Sequence, residues 1–516
     1  MKLLFTKLAR TVSAALVISM LTTSCAAAAT DLASTVALKP YADNTVAAAL
    51  KPFYTQKITF TKCGGERTYC GTVMVPMNWA KPAGKKLKLA VAYRQADIAK
   101  AKGFVFFNPG GPGTSGLDFA LNSISSIATP TLRKSYNLVG FDPRGVGSSE
   151  PKVKCLTASR MDHFLYGIPQ FQLGSAGDIA ETKASLKEFA DACVANTGEA
   201  LGYIDTVSAA RDLDVLRAVF GQSKFNYLGY SYGTYLGATY AQLYPKRVGR
   251  MVLDGAINPL LTDAQQNLAQ LKGFDLAFRD YLTQCLSSSD CPFTGSLANA
   301  QQSMANLFLK IEGTPLPTAS GRKVSYGTAL TGVIMALYSN SSWSTLSYAI
   351  AEAKAGKGDT LLELADAYND RNANGTYVSN ITEANISINC LDARQPSTPA
   401  AMAAQNALVL KTSVVFGRYW QFGGLGCAEW PYPVAKHPAN YKAVGAPTIL
   451  VVGTTGDPAT PYSQAVDLAN SVLKKGQLIT FNGEGHTAYG HSNACVDNHV
   501  DDFFLNGVVP SEDPKC

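Results

Sequence analysis

The sequence predicts an α/β fold: a mostly parallel sheet with helices on both faces and a large, mainly helical insertion. Three observations carry this reading. From Lys57 to about residue 258, short apolar runs alternate with stretches of helical periodicity. Between 259 and about 440 the alternation stops, and helix-like stretches dominate with few convincing strands. At 447 the alternation resumes and runs toward the C-terminus.

The elements follow in order. "KLAVAYRQA" (88–96), "GFVFFN" (103–108) and "YNLVGFD" (136–142) are short apolar runs that predict strands. "TVSAARDLDVLRAVFG" (206–221) spaces its apolar residues as a helix does, and Gly221 stops it. "KFNYLGY" (224–230) predicts a strand, "YGTYLGATYAQLYP" (232–245) a helix ended by Pro245, and "RMVLDG" (250–255) a strand. Helices fall at "NLAQLKGFDLAFRDYLTQCL" (267–286) and "TLLELADAYND" (360–370) in the insertion. "PTILVVG" (447–453) and "QLITFN" (477–482) predict strands around a helix at 462–473, and a closing helix covers 491–506. Residues 51–258 and 441–516 then form the two parts of the core, and 259–440 a cap between them.

Composition bounds the class. The chain has 516 residues, 47% hydrophobic and 16% charged, which suits a folded globular protein. A net charge of +7 is mild for this length and no basic run stands out, so nucleic acid is not an expected partner. The N-terminus reads as an export signal over residues 1–24. Lys2, Lys7 and Arg10 form the basic region, "VSAALVISML" the apolar one, and small residues follow in "TTSCAAAAT". The stretch between Arg10 and Cys25 is too short to span a bilayer. "LTTSC" resembles a bacterial lipobox, although its aliphatic residue stands one place early. Lipidation at Cys25 is the favoured reading, and cleavage at the alanines by ordinary signal peptidase is the other. Residues 25–50, rich in alanine and threonine, are expected to form a surface tether.

Eleven cysteines leave ten once Cys25 is set aside. In an oxidising compartment, disulfides are the default. Sequence neighbours suggest Cys63 with Cys70, Cys155 with Cys193, Cys285 with Cys291, Cys390 with Cys427, and Cys495 with Cys516. No C-x-x-C pair and no H-E-x-x-H occur, so no metal is expected.

"FVFFNPGGPGTSG" (104–116) runs from a predicted strand into a loop spelling G-x-G-x-x-G at Gly111 to Gly116. A dinucleotide site needs an acidic residue roughly 20 positions later for the ribose. None lies between Asp118 and Asp142, so no cofactor is expected. A different motif gives the loop its role. "GYSYG" (229–233) is G-x-S-x-G between a predicted strand and a predicted helix, the context of a nucleophile elbow that would present Ser231. Asp457 follows the strand 447–453, and His486 follows the strand 477–482. The order Ser, Asp, His, each just past a strand end, is that of an α/β-hydrolase. In that fold one oxyanion donor is the N–H after the nucleophile and the other comes from an early strand's loop. These are Tyr232 and Gly111 here. "FDPRGVGSS" (141–149) is expected to be structural, with Arg144 bracing the neighbouring loop.

Taken together, "NPGGPGTSG", "FDPRGVGSS", "NYLGYSYGTYLGATYAQLYP", "RMVLDG", "GDPATP", "GEGHTAY", "INCLD" (388–392) and "CAEWP" (427–431) resemble the exported tripeptidyl aminopeptidases of bacteria, relatives of the proline iminopeptidases. The resemblance covers nearly all of residues 50–516. It implies a serine exopeptidase acting on peptides with free N-termini, with Ser231, Asp457 and His486 as the triad. It also implies a carboxylate that pairs with the substrate α-ammonium. Asp392 and Glu429 are the candidates, and Asp254 is expected instead to bind loop backbone at its strand end. An exported carboxylesterase with the same triad is the alternative, and a surface binding protein without chemistry is the second.

Overall fold

The computed structural model describes residues 35–65 and 67–516; the signal segment 1–24 and Cys25 lie outside them. Its strands are β1 (Thr35–Ala37), β2 (Thr59–Lys62), β3 (Thr68–Pro76), β4 (Lys86–Arg94), β5 (Phe104–Asn108), β6 (Asn137–Phe141), β7 (Phe225–Tyr230), β8 (Val248–Asp254), β9 (Leu316–Pro317), β10 (Lys323–Val324), β11 (Ile449–Gly456) and β12 (Gly476–Glu484). Ten of them form one sheet in the order β1-β2-β3-β4-β6-β5-β7-β8-β11-β12, while β9 and β10 form a small ribbon in the insertion. Pairing is antiparallel from β1 through β4 to β6 and parallel from β6 to β12.

The parallel strands are apolar throughout because both of their faces are covered. Side chains alternate across a strand, so Phe104 and Phe106 of β5 enter one core while Val105 and Phe107 enter the other. In β7, Phe225 and Tyr227 face the first core, and Leu228 and Tyr230 the second. The helix Thr206–Val219 packs on the first face, and Asp205 caps it by accepting from the Ser208 N–H at 2.8 Å. The closing helix, Ala494–Asn506, packs on the second face.

The insertion builds its own core around the helices Asp263–Cys285, Leu297–Gly313, Tyr326–Leu337, Trp343–Lys354 and Asp359–Tyr368. Its first helix opens on a capping box, in which Thr262 and Gln265 exchange side-chain and backbone hydrogen bonds. Two features depart from the expected boundaries. The helix Ile381–Asp392 buries Ala384, Ile388 and Leu391 in the core of the sheet, together with Trp430 and Tyr441. Tyr166, from the first part of the core, joins the core of the insertion instead.

The tether expected over 25–50 does not hold for its described part, residues 35–50. Thr35–Ala37 adds an edge strand to β2. The Tyr41 N–H donates to the Ala218 carbonyl at 2.7 Å. Asp43 sits 2.9 Å from both Arg217 and Arg247. A short polar segment is tied down here by ion pairs that a compositional reading does not reveal.

The cysteines pair as their sequence neighbours suggested: Cys63–Cys70, Cys155–Cys193, Cys285–Cys291, Cys390–Cys427 and Cys495–Cys516. Among the described residues, no helix is long and apolar enough to cross a membrane.

Candidate active site

β7 ends at Tyr230 and the next helix begins at Tyr232, so Ser231 alone makes the turn. Its backbone takes φ 54° and ψ −123°, a conformation that L-residues seldom adopt. The turn is tight enough that a Cβ on Gly233 would come within 2.6 Å of the Asn108 carbonyl. The loop after β5 presses on the same turn. A Cβ on Gly110 would lie 2.9 Å from Ser231 Cβ, and Gly110 has φ 103°. Its N–H is already committed to Asn108 Oδ1 at 3.0 Å. Among the described residues, the N–H groups of Gly111 and Tyr232 take no protein partner, so both can serve an anion. Tyr232 opens its helix, where backbone N–H groups are free and the dipole favours negative charge.

Several side chains hold the loop. Asp142 accepts from the Ser115 hydroxyl at 2.6 Å, the Leu117 N–H at 3.1 Å and the Ser148 N–H at 2.7 Å. Asn385 Nδ2 donates to the Pro112 carbonyl at 3.0 Å. Arg144 is fully buried. It makes a two-pronged contact with Asp212 at 2.7 and 2.6 Å, and also donates to the Met77, Tyr203 and Pro76 carbonyls. Its role is structural, as expected, but its partners are the end of β3, Tyr203 and the helix Thr206–Val219 rather than the loop after β5.

Asp457 and His486 meet at the ends of β11 and β12. His486 Nδ1 lies 2.9 and 3.0 Å from the two Asp457 oxygens. Asp457 is buried and also accepts from the Ala459 and Thr460 N–H groups, the Thr460 hydroxyl and the Thr487 N–H. Burial alone would lower the His486 pKa, but the charge and hydrogen bond of Asp457, with the charge of Asp254, carry it above the ordinary histidine value. Asp254 accepts from the Ala488 and Tyr489 N–H groups, the loop-binding role expected at its strand end. His491, expected in the closing helix, precedes it and contacts the Thr487 hydroxyl.

Ser231 and His486 open into one cavity of about 460 Å³. Pro109, Gly111 and Thr114 form its floor. Thr331, Tyr338, Tyr368 and Asn369 of the insertion form the roof, and the helix Ile381–Asp392 supplies one wall. Sequence reasoning expected the insertion to cap the core but named none of these residues, because no motif marks them.

Neither expected amine anchor is among the lining residues, and no carboxylate is. Asp392 is buried at the far end of its helix. Its oxygens take the Thr206 N–H at 2.9 Å and the Thr206 hydroxyl at 2.5 Å. Desolvation pushes its pKa up to about 8, and both its oxygens are taken up inside the fold, away from the cavity. Glu429 is half-buried and lies in the field of Lys187 on the helix Ala176–Thr197. Among the described residues, Cys495, His499 and Cys516 are spaced like metal ligands, but the two sulfurs are bonded to each other.

Set beside known proteins, residues 412–516 match the family model described as TAP-like protein. Serine protease Hip1 of Mycobacterium tuberculosis is 37% identical over 87% of both chains. Tripeptidyl aminopeptidase of Streptomyces coelicolor is 32% identical over 87% of this chain and 82% of its own. The chain belongs to the tripeptidyl aminopeptidase-like α/β-hydrolases. It is a serine hydrolase of that fold. Carboxylesterase B of Mycobacterium tuberculosis, 38% identical over 87% of this chain and 86% of its own, stands in the same group.

Proposed function

We propose that the protein is an exported serine exopeptidase that releases short peptides, tripeptides in the first instance, from free N-termini. Ser231 Oγ attacks the scissile carbonyl. His486 takes its proton through Nε2, and Asp457 holds Nδ1 and stabilises the imidazolium. The oxyanion falls to the N–H groups of Gly111 and Tyr232, each worth about 3 kcal/mol in the transition state. His486 returns the proton to the leaving amine, and water then hydrolyses the acyl-enzyme.

The observation that carries this reading is the cavity of about 460 Å³ at Ser231, to which the insertion contributes Thr331, Tyr338, Tyr368 and Asn369 and so restricts the chain that can lie there. Relatives named as a serine protease and a tripeptidyl aminopeptidase support it. The five disulfides support export, and lipid attachment at Cys25 is part of the proposal.

With no carboxylate among the lining residues, the amine would be read by neutral acceptors such as the Asn369 side chain. Hydrogen bonds from a charged group are worth about 1.5–3 kcal/mol, or about 10- to 100-fold in rate. A free tripeptide anilide should therefore exceed its N-acetylated twin in kcat/KM by that factor. The uncharged lining also favours a second reading, a carboxylesterase. Equal rates on the free and blocked peptides, with faster turnover of a simple acyl ester, would support it over the first.

A further inference from the structure

The insertion does more than cover the cavity: it touches the general base. Tyr338 ends the helix Tyr326–Leu337, and its carbonyl accepts the backbone N–H of His486 at 2.9 Å. Its ring meets the imidazole edge to face, with centroids 5.3 Å apart and planes at 88°. The approach is close along the backbone too. A Cβ on Gly485 would stand 3.2 Å from the Tyr338 carbonyl oxygen, and Gly485 has φ 107°. Tyr338 is itself held from behind. Phe274 of the helix Asp263–Cys285 packs on it at 5.9 Å, and Tyr368 lies at 6.3 Å.

His486 needs a fixed ring plane. Its Nδ1 must stay on Asp457 while Nε2 reaches toward Ser231. Asp457 and the Thr460 hydroxyl hold Nδ1 and Gly255 approaches Cε1, which leaves the side of the ring toward the insertion to be held. Tyr338 is the group that stands there, and it comes from the insertion.

We propose that Tyr338 is a positioning residue that locks the imidazole of His486, so that seating of the insertion and activation of Ser231 are one event. This rests on reading Ser231, Asp457 and His486 as the triad. The consequence is that an enzyme with its insertion unseated is not an open hydrolase but an inactive one, which would spare folded proteins outside the cavity.

The test uses the full mature chain and a fluorophosphonate probe, whose labelling rate reports serine activation whatever the substrate. Tyr338→Phe keeps the ring and the carbonyl and should label within about 3-fold of wild type. Tyr338→Leu fills similar space without an aromatic ring, and Tyr338→Ala leaves a gap. Both should label about 10- to 100-fold more slowly, the scale of a misplaced catalytic group. Their kcat should fall with little change in KM, and the low-field proton resonance of the Asp457–His486 pair should broaden or disappear. In the wild type, the His486 backbone amide should resist hydrogen exchange as strongly as the amides of the helix Tyr326–Leu337. That measurement needs no variant to fold. Wild-type labelling rates in Tyr338→Leu, or a freely exchanging His486 amide, would overturn the proposal. An equal loss in Tyr338→Phe would do the same. Failure of the triad reading looks different: Ser231→Ala would then still be labelled.

Discussion

Asp392→Asn should make the protein more stable at alkaline pH. The wild-type carboxyl is buried against Thr206, whose hydroxyl in turn bonds the Tyr232 hydroxyl. His437 Nε2 stands 3.5 Å away, and its own pKa is lowered, first by desolvation. Both shifts favour the uncharged form, acid beside imidazole. Desolvation, offset in part by the Thr206 hydrogen bonds and reinforced by the charge of Asp205, lifts the Asp392 pKa from 3.8 to about 8. In that window the folded state holds a proton that the unfolded state has lost, so stability falls as pH rises, by about 1.4 kcal/mol per unit. The full window sets a ceiling of about 6 kcal/mol on this loss. Asparagine stays uncharged in both states; its amide oxygen can accept the Thr206 N–H, and the Thr206 hydroxyl can turn to donate to the Tyr232 hydroxyl where the amide nitrogen cannot accept it. Variant and wild type should match near pH 4 and diverge up to pH 8, with the variant the more stable. Urea unfolding of both proteins at pH 4.5, 6 and 8 reads the difference directly, since their other titrations are shared. A difference that stays flat with pH, or a variant that loses stability at pH 8, would refute a neutral Asp392.

Four further outcomes are expected. Ser231→Ala should lower kcat by about 10⁴-fold or more while leaving the melting temperature nearly unchanged, as a scan of the purified variant would show. For the wild type, kcat/KM should rise with pH as His486 loses its proton, with the midpoint above the ordinary histidine value. Asp457→Asn should move that midpoint to lower pH, because the charge that raises it is gone, and cut the plateau by about 10⁴-fold. Arg144→Met should cost about 3–5 kcal/mol in denaturant unfolding, because it strands Asp212 in the core without a partner.

What the sequence made legible follows from physics. Strands β5, β7, β8 and β11 were readable because parallel strands covered on both faces are continuous apolar runs, as in "FVFF" and "ILVV". The edge strand β1 and its short neighbour β2 were not, since "TVA" and "TFTK" carry no such run and gain their structure from pairing with each other and with β3. Ser231, Asp457 and His486 stood out because each follows a strand in a short local motif. Tyr338, Tyr368, Asn369 and Asn385 did not, because their place at the cavity is set by how whole helices pack. Asp392 was visible as an acid near Cys390, yet an acid in a sequence does not say whether it is solvated. Its burial against Thr206 turns a candidate amine anchor into a neutral internal contact.

The most direct test of the exopeptidase account is mass spectrometry of the products from an unblocked decapeptide. The purified enzyme should release short N-terminal peptides stepwise, leaving a ladder of shortened C-terminal remainders, and Ser231→Ala should release none. Cleavage at internal bonds irrespective of the N-terminus, or an intact decapeptide alongside rapid hydrolysis of a simple ester, would contradict it.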